Sequence, residues 1–223
     1  NTYVHVLEAV LNEYSDEKVL PVSTPKGIMK SKKVPSQHVA LTQEEVERIE
    51  AYVPKNNVER DVKALFMRAC YTGARCSDAA AMSEKNIIHT PKGDLLSYVS
   101  EKTKVETVLP LHSKLRKYLS YHLTKEHSSK VNSEKIKKIC RAVGITEPVS
   151  LFVGGKRQDM EKCDFVTMHS GRRTFCTILA RKNVNVETIR SLAGHTSSAM
   201  TDRYIMLDGK NPGKDAMSFF NEK

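Results

Sequence analysis

The sequence predicts a mainly α-helical domain carrying a small antiparallel β-sheet, on three observations. Apolar residues recur at helical spacing over most of the chain, the period changes to strand-like alternation only between residues 87 and 111, and capping signals bracket the helical stretches. At 223 residues, with 39% hydrophobic and 28% charged side chains, the chain has the composition of an ordinary folded protein. Its length fits one sizeable domain plus an appendage.

Val4, Leu7, Val10 and Leu11 stripe a short helix that fades at Ser15 and Asp16, and a Pro-punctuated, Lys-rich linker follows over residues 21–35. The main domain opens at Leu41, where Thr42 and Glu45 form a capping box and Leu41 and Val46 a hydrophobic staple. Val58, Val62, Leu65, Phe66 and Ala69 line a second helix that Gly73 can end in the left-handed conformation, which puts Arg75 at a helix junction. Residues 95–100 and 105–111 then flank the polar tetrad Glu101-Lys102-Thr103-Lys104, a hairpin with Lys102 at or near its tip. Helical patterns return at 115–123 and 136–143, the second followed by Gly144, and the rest reads as mostly helix. Residues 164–167 lead into a helix on which His169 and Arg172, three apart, share a face. Asn185 can cap a helix through Leu192, Gly194 can end it, and Ser197 or Ser198 can start the helix that carries Tyr204.

The charge narrows the partners. Lys and Arg number 36 against 26 Asp and Glu, a formal net of +10, and each cation set against a phosphate releases condensed counterions. Nucleic acid is therefore the first candidate. No basic amphipathic helix has a broad Leu/Phe/Trp face, Trp is absent, and no apolar run approaches 18 residues, which argues against a membrane partner and for a cytoplasmic location. The five cysteines are odd in number and contain no C-x-x-C pair, so free thiols are expected rather than a disulfide framework or a zinc site.

Four islands carry chemistry: Thr72-Gly73-Ala74-Arg75-Cys76-Ser77-Asp78, Ser100-Glu101-Lys102-Thr103, His169-Ser170-Gly171-Arg172, and Leu192-Ala193-Gly194-His195 with Tyr204 nine residues after His195. Each has a plainer reading alone: a surface Arg paired with Asp78, a soluble turn Lys, a helix-start pair, a cap contact, a half-buried Tyr. Joint occurrence in fixed order is what those readings do not explain. The set resembles the tyrosine recombinase (integrase) family, most closely the integrases of bacterial mobile elements. That family's order is Arg, a hairpin Lys, His-x-x-Arg, Gly-His and Tyr, and Asp78 matches its acidic position three residues after the first Arg.

The chemistry explains why such a set is useful. Charge grows on the non-bridging oxygens as a phosphodiester is attacked, and Arg75 and Arg172 can each present a planar fork of donors without losing charge. His195 can add a donor. Tyr204, with a reference pKa of about 10, needs a proton acceptor, for which His169 is the candidate. The departing 5′ oxygen needs a proton donor, a role that suits Lys102 on a hairpin tip and that the resemblance also implies. A covalent phosphotyrosine conserves the energy of the cut bond, so no ATP is required, and no carboxylate cluster suggests Mg²⁺; no cofactor and no metal are expected.

The resemblance covers residues 41 to about 207, the expected catalytic domain. It implies that residues 1–40 are the last helix of a preceding core-binding domain and a basic linker, and that residues 208–223 are a tail that docks on a neighbouring protomer or packs in cis through Met217, Phe219 and Phe220. Half of a DNA clamp would then be missing, and weak or unspecific cleavage is expected of this chain. Double-stranded DNA is the expected partner, bound by a homotetramer in synapsis, with a monomer when free. Arg173, about 100° around the helix from Arg172, and Lys104 are assigned to DNA contact. Lys30, Lys32 and Lys33 read equally as a solvated linker or a connector crossing the DNA backbone. The expected activity is site-specific integration or excision of a mobile element. The rivals are type IB topoisomerase-like relaxation and an idle DNA-binding regulator of the same fold.

Overall fold

A computed structural model describes residues 36–199, 201 and 202, together with positions 3, 6, 7, 9–11 and 13, all helical. The remainder of the first helix, the linker with Lys30, Lys32 and Lys33, Tyr204 and the tail lie outside the described residues. Helices dominate, and the two antiparallel sheets are small.

Helix α1 (Gln43–Ala51) starts at the capping box foreseen at Thr42, where Glu45 N bonds Thr42 Oγ1 at 3.2 Å and Thr42 N bonds Glu45 Oε2 at 2.6 Å. Lys162 adds a second hold on Glu45, its Nζ lying 2.6 and 2.8 Å from the two carboxylate oxygens. Helix α2 (Asn57–Thr72) is capped by Asn56, runs through the core with Val62, Phe66 and Met67 fully buried, and ends at Gly73 with φ +69°. Short helix α3 (Cys76–Ala81) follows at once, with Arg75 as its N-cap.

Strands β1 (Ile87–Ile88), β2 (Leu95–Val99) and β3 (Glu106–Pro110) form the sheet expected between residues 87 and 111. Register pairs Leu96 with Leu109 and Tyr98 with Thr107, and all four are buried, while Val99 and Val108 face outward. The period of two thus sends one face to the core. The hairpin loop closes through Ser100 N to Val105 O at 2.9 Å and Lys104 N to Ser100 O at 2.8 Å, with Lys104 at φ +54°.

Helix α4 (Arg116–Leu119) is much shorter than the 115–123 pattern suggested, because the chain turns at Ser120. Two buried groups take over the backbone there. Arg68, 2% exposed, donates to the carbonyls of Tyr118 and Tyr121 and to those of Ala79 and Ala80, which ties the ends of α4 and α3 to α2. Asp61 accepts from Tyr121, Thr124 and His127; burial pushes its pKa up, yet these donors pull it down to about 2.

Helix α5 (Ser129–Ala142) follows, and Gly144 takes the left-handed turn after it. The stretch expected to be mostly helix instead holds a second hairpin, β4 (Pro148–Val153) and β5 (Lys156–Glu161), closed by Gly154 and Gly155 at φ +59° and +83°. Two successive positive φ angles make this the mirror-image turn that matches strand twist, and Gly-Gly supplies them without strain. Helix α6 (Lys162–Phe165) leads into α7 (Met168–Arg181), capped by Thr167 and Ser170, and α8 (Val186–Ala193) runs from the Asn185 cap to Gly194 at φ +62°.

Helices α2 and α7 make the most extensive helix–helix contact. Glycines allow it: a Cβ on Gly171 would meet Ala69 Cβ at 3.0 Å and Phe66 O at 3.2 Å, and one on Gly73 would lie 2.5 Å from the Phe175 ring. Gly73→Ala would both strain a positive φ and force the ring aside. The expected cost is about 2 kcal/mol or more in chemical denaturation.

Candidate active site

The α2–α7 contact and the first hairpin together build a cationic pocket. Gly73 ends α2, so Arg75 leaves the helix end two residues later; Arg75 Nη1 donates to Ser100 Oγ at 2.9 Å. Ser100, 1% exposed, in turn donates to Asp78 Oδ2 at 3.0 Å, and Glu101 N donates to Asp78 Oδ1 at 2.9 Å. Arg75 and Asp78 themselves stand 4.0 Å apart, so Ser100 mediates most of their coupling. One buried carboxylate therefore fixes both the first Arg and the base of the turn that carries Lys102.

Arg172 projects from α7 into the same region. It is 1% exposed, and its Nη1 donates to the carbonyl of Gly73 at 2.7 Å, across 99 residues of sequence. Its companion His169 lies one turn earlier and keeps an exposed edge. His195 follows Gly194, is 3% exposed, and has Nδ1 2.8 Å from Thr201 Oγ1. Gly194 holds this turn against β3, since a Cβ there would lie 2.6 Å from Thr107 Oγ1.

The electrostatics show how closely these groups are gathered. Desolvation first, then Arg173, Arg172, His38 and Arg75, hold the His169 pKa down to about 4. Desolvation, then Arg172, Arg75 and His169, hold His195 down to about 3. Burial raises Tyr98 on β2, opposed by the same two arginines. Both rings are neutral near pH 7 and so available as proton acceptors or single donors.

A model of the phage integrase family matches residues 40–210. The chain belongs to the phage integrase family. Its fold is that of tyrosine recombinase catalytic domains. Among solved structures, a lambda integrase dimer bound to a COC′ core site superposes with a TM-score of 0.66 at 18% identity, covering 93% of this chain and 73% of that one. The Tn1549 transposon integrase in complex with transposon right end DNA gives 0.63 at 12% identity, covering 97% and 77%. The XerH site-specific recombinase bound to palindromic difH gives 0.57 at 14% identity, covering 89% of this chain, which spans only 56% of that protein. Compared by sequence with curated proteins, the chain matches none.

Of the residues chosen from sequence, Arg75, Asp78, His169, Arg172 and His195 come together. Lys102 sits in the exposed turn above Ser100, and Lys104 is exposed at the end of that turn. Arg173 is half-buried and its charge acts on His169, so it borders the pocket more closely than an outward-facing residue would. Tyr204 lies outside the described residues; residues 198, 199, 201 and 202 before it are helical. Sequence reasoning gave no role to Ser100, Thr201, Tyr98 or the Gly73 carbonyl. Ser100 had a signal in its place inside the hairpin island, and Gly73 in its place as the helix end before Arg75.

A metal has no evident home among the described residues. Glu161, Cys163 and Asp164 bring potential ligand atoms within 4.8 Å, but Arg141 already bonds both carboxylates, at 3.0 and 2.7 Å. No described helix is long and apolar enough to cross a membrane.

The two lowered pKa values have a consequence for stability. Because the folded pKa of His195 lies below its unfolded value of about 6.5, its neutral form is favoured by folding; the contribution is complete above pH 6.5 and is lost as pH falls toward about 3. Denaturation of the DNA-free protein should show a loss from this group of about 2 kcal/mol between pH 7 and pH 5. His195→Gln should remove that part of the slope, and an unchanged slope in the variant would contradict the assignment.

Proposed function

We propose that this chain is the catalytic part of a site-specific DNA recombinase that cuts and rejoins strands through a covalent 3′-phosphotyrosine at Tyr204, serving integration or excision of a mobile element. The observation that carries the reading is that Arg75 and Arg172 act on both His169 and His195, within a family whose solved members include recombinases bound to DNA. Four groups from three separate stretches of sequence converge on one cationic spot, with Arg172 and His195 buried and His169 at its exposed edge. Its chemistry suits a phosphate, an acceptor-only anion whose charge grows on attack.

In this reading the Arg forks and a donor from His195 hold the scissile phosphate. Neutral His169 accepts the phenolic proton of Tyr204 as its oxygen attacks phosphorus. Lys102 protonates the departing 5′ oxygen. The bond from phosphorus to the Tyr204 oxygen replaces the bond from phosphorus to the 5′ oxygen, so the reverse attack by another 5′ hydroxyl rejoins strands without ATP. The cations are the protein's own side chains, so the scheme calls on no metal ion. Arg173, Lys104 and the linker lysines Lys30, Lys32 and Lys33 are assigned to backbone contact.

Residues 41–207 form the catalytic domain in this proposal, 1–40 the end of a core-binding domain with its linker, and 208–223 a tail for protomer contact. A lambda integrase tetramer has been captured on a Holliday junction, and the same assembly on double-stranded DNA is proposed here, from a monomer in free solution.

The test uses a pool of nicked duplexes of randomised sequence, with covalent adducts trapped under denaturing conditions. Adducts are expected on the 3′ side of the cut, with mass spectrometry placing the phosphate on Tyr204. Tyr204→Phe should abolish them while leaving duplex binding within about twofold, because one hydroxyl contributes little to an interface held by cations. Adducts that persist in Tyr204→Phe would overturn the assignment, and supercoil relaxation by the monomer without strand exchange would favour a topoisomerase.

A further inference from the structure

The Thr201 hydroxyl has no part in the scheme above, yet it is placed where it decides what His195 can do. It is fully buried, stands 2.8 Å from Nδ1 of a ring that is itself 3% exposed, and lies six residues on from it. We propose that Thr201 is a positioning residue that donates its hydroxyl proton to His195 Nδ1 and thereby keeps the proton of the neutral ring on Nε2. The inference rests on the phosphate-binding reading of the pocket.

Three assignments follow one from another. A phosphate oxygen only accepts hydrogen bonds, so His195 can join Arg75 and Arg172 around it only as a donor. The ring is neutral, held so by desolvation and by those two cations, and a neutral imidazole carries one N–H. If Nε2 is the nitrogen that donates, Nδ1 must accept, and the hydroxyl 2.8 Å away has the one proton to give. The opposite arrangement, Nδ1–H donating to a Thr oxygen whose proton goes elsewhere, would leave Nε2 as a lone pair facing an anion. With both partners buried, water is not there to exchange the two tautomers freely.

The same bond has a second effect. Thr201 is in the stretch that leads, three residues later, to Tyr204, so the hydroxyl ties that stretch to the Gly194-His195 turn, which is itself pressed on β3 at Thr107.

Selective ¹⁵N-histidine labelling reads the tautomer directly, with His195→Gln used to assign the signal. The wild-type protein is expected to show His195 as the Nε2–H form, Thr201→Ser to keep it, and Thr201→Val, which keeps shape and loses the hydroxyl, to lose that preference. On a nicked duplex, Thr201→Val should lower the rate of adduct formation at least about tenfold with duplex affinity unchanged, and Thr201→Ser should restore most of it. A wild-type ring in the Nδ1–H form, or a Thr201→Val protein with the wild-type tautomer and rate, would overturn the proposal. A merely structural role would lower affinity and rate together in Thr201→Val and leave the tautomer alone. Should the wild type form no adduct at all, the phosphotyrosine reading fails, and the tautomer measurement still decides the role of Thr201.

Discussion

Arg172 bonded to the Gly73 carbonyl is the joint on which the site depends. The bond is 2.7 Å long, it is buried, and it links the end of α2 to the face of α7. Gly73 must be in the left-handed region for α2 to end there, and Phe175, one turn beyond Arg172, fills the space a side chain at Gly73 would need. The same residue that ends the helix therefore receives the guanidinium, seats the ring and sends the chain outward to Arg75. Removing a charge-assisted bond of this kind leaves a buried carbonyl without that donor, which costs more than the bond itself contributes. Packing and chemistry share one set of atoms here.

Gathering cations in a partly buried site has an electrostatic cost, and the fold meets it in two ways. Asp78 is buried beside Arg75 and supplies the counter-charge, with Ser100 carrying the link at 2.9 and 3.0 Å. The histidines stay neutral, first because the site desolvates them and then because a proton on either would add to the charge of Arg75 and Arg172. An anion entering the pocket would change this balance by pairing with the guanidinium forks, and it would make a protonated His169 less costly, as the proposed transfer of the Tyr204 proton to that ring requires. A bound anion would offset the repulsion among the cations, and only the further charge that grows on its oxygens during attack would count toward the rate.

Much of this was legible in the sequence because the signals are local. Thr42 with Glu45, Asn185, Gly73 and Gly194 each specify a backbone conformation within a few residues, and the alternation over 95–111 specifies one sheet face. The proposed catalytic set stood out in the sequence as order and spacing, and the fold brings Arg75, Asp78, His169, Arg172 and His195 of it together, while Tyr204 lies outside the described residues. What escaped depends on distant partners. The β4–β5 hairpin has a Gly-Gly turn, but its strands carry exposed Phe152 and Met160 beside charged residues, so no clean alternation marks them. Helix α4 stops early because Arg68, 50 residues away in sequence, donates to its end carbonyl at Tyr118. Ser100 and Thr201 are small hydroxyls whose worth comes from what the fold sets 3 Å away, and no spacing rule encodes that.

We propose that Arg172 acts on the phosphate in the transition state and does not merely bind DNA. Single-turnover adduct formation by Arg172→Lys on a nicked duplex, measured beside its equilibrium affinity, tests this most directly. Lys keeps the positive charge but not the planar fork. The account predicts a rate lowered about 100-fold or more with affinity within a few fold of wild type. A rate close to that of the wild type, or a loss of rate matched by an equal loss of affinity, would contradict it.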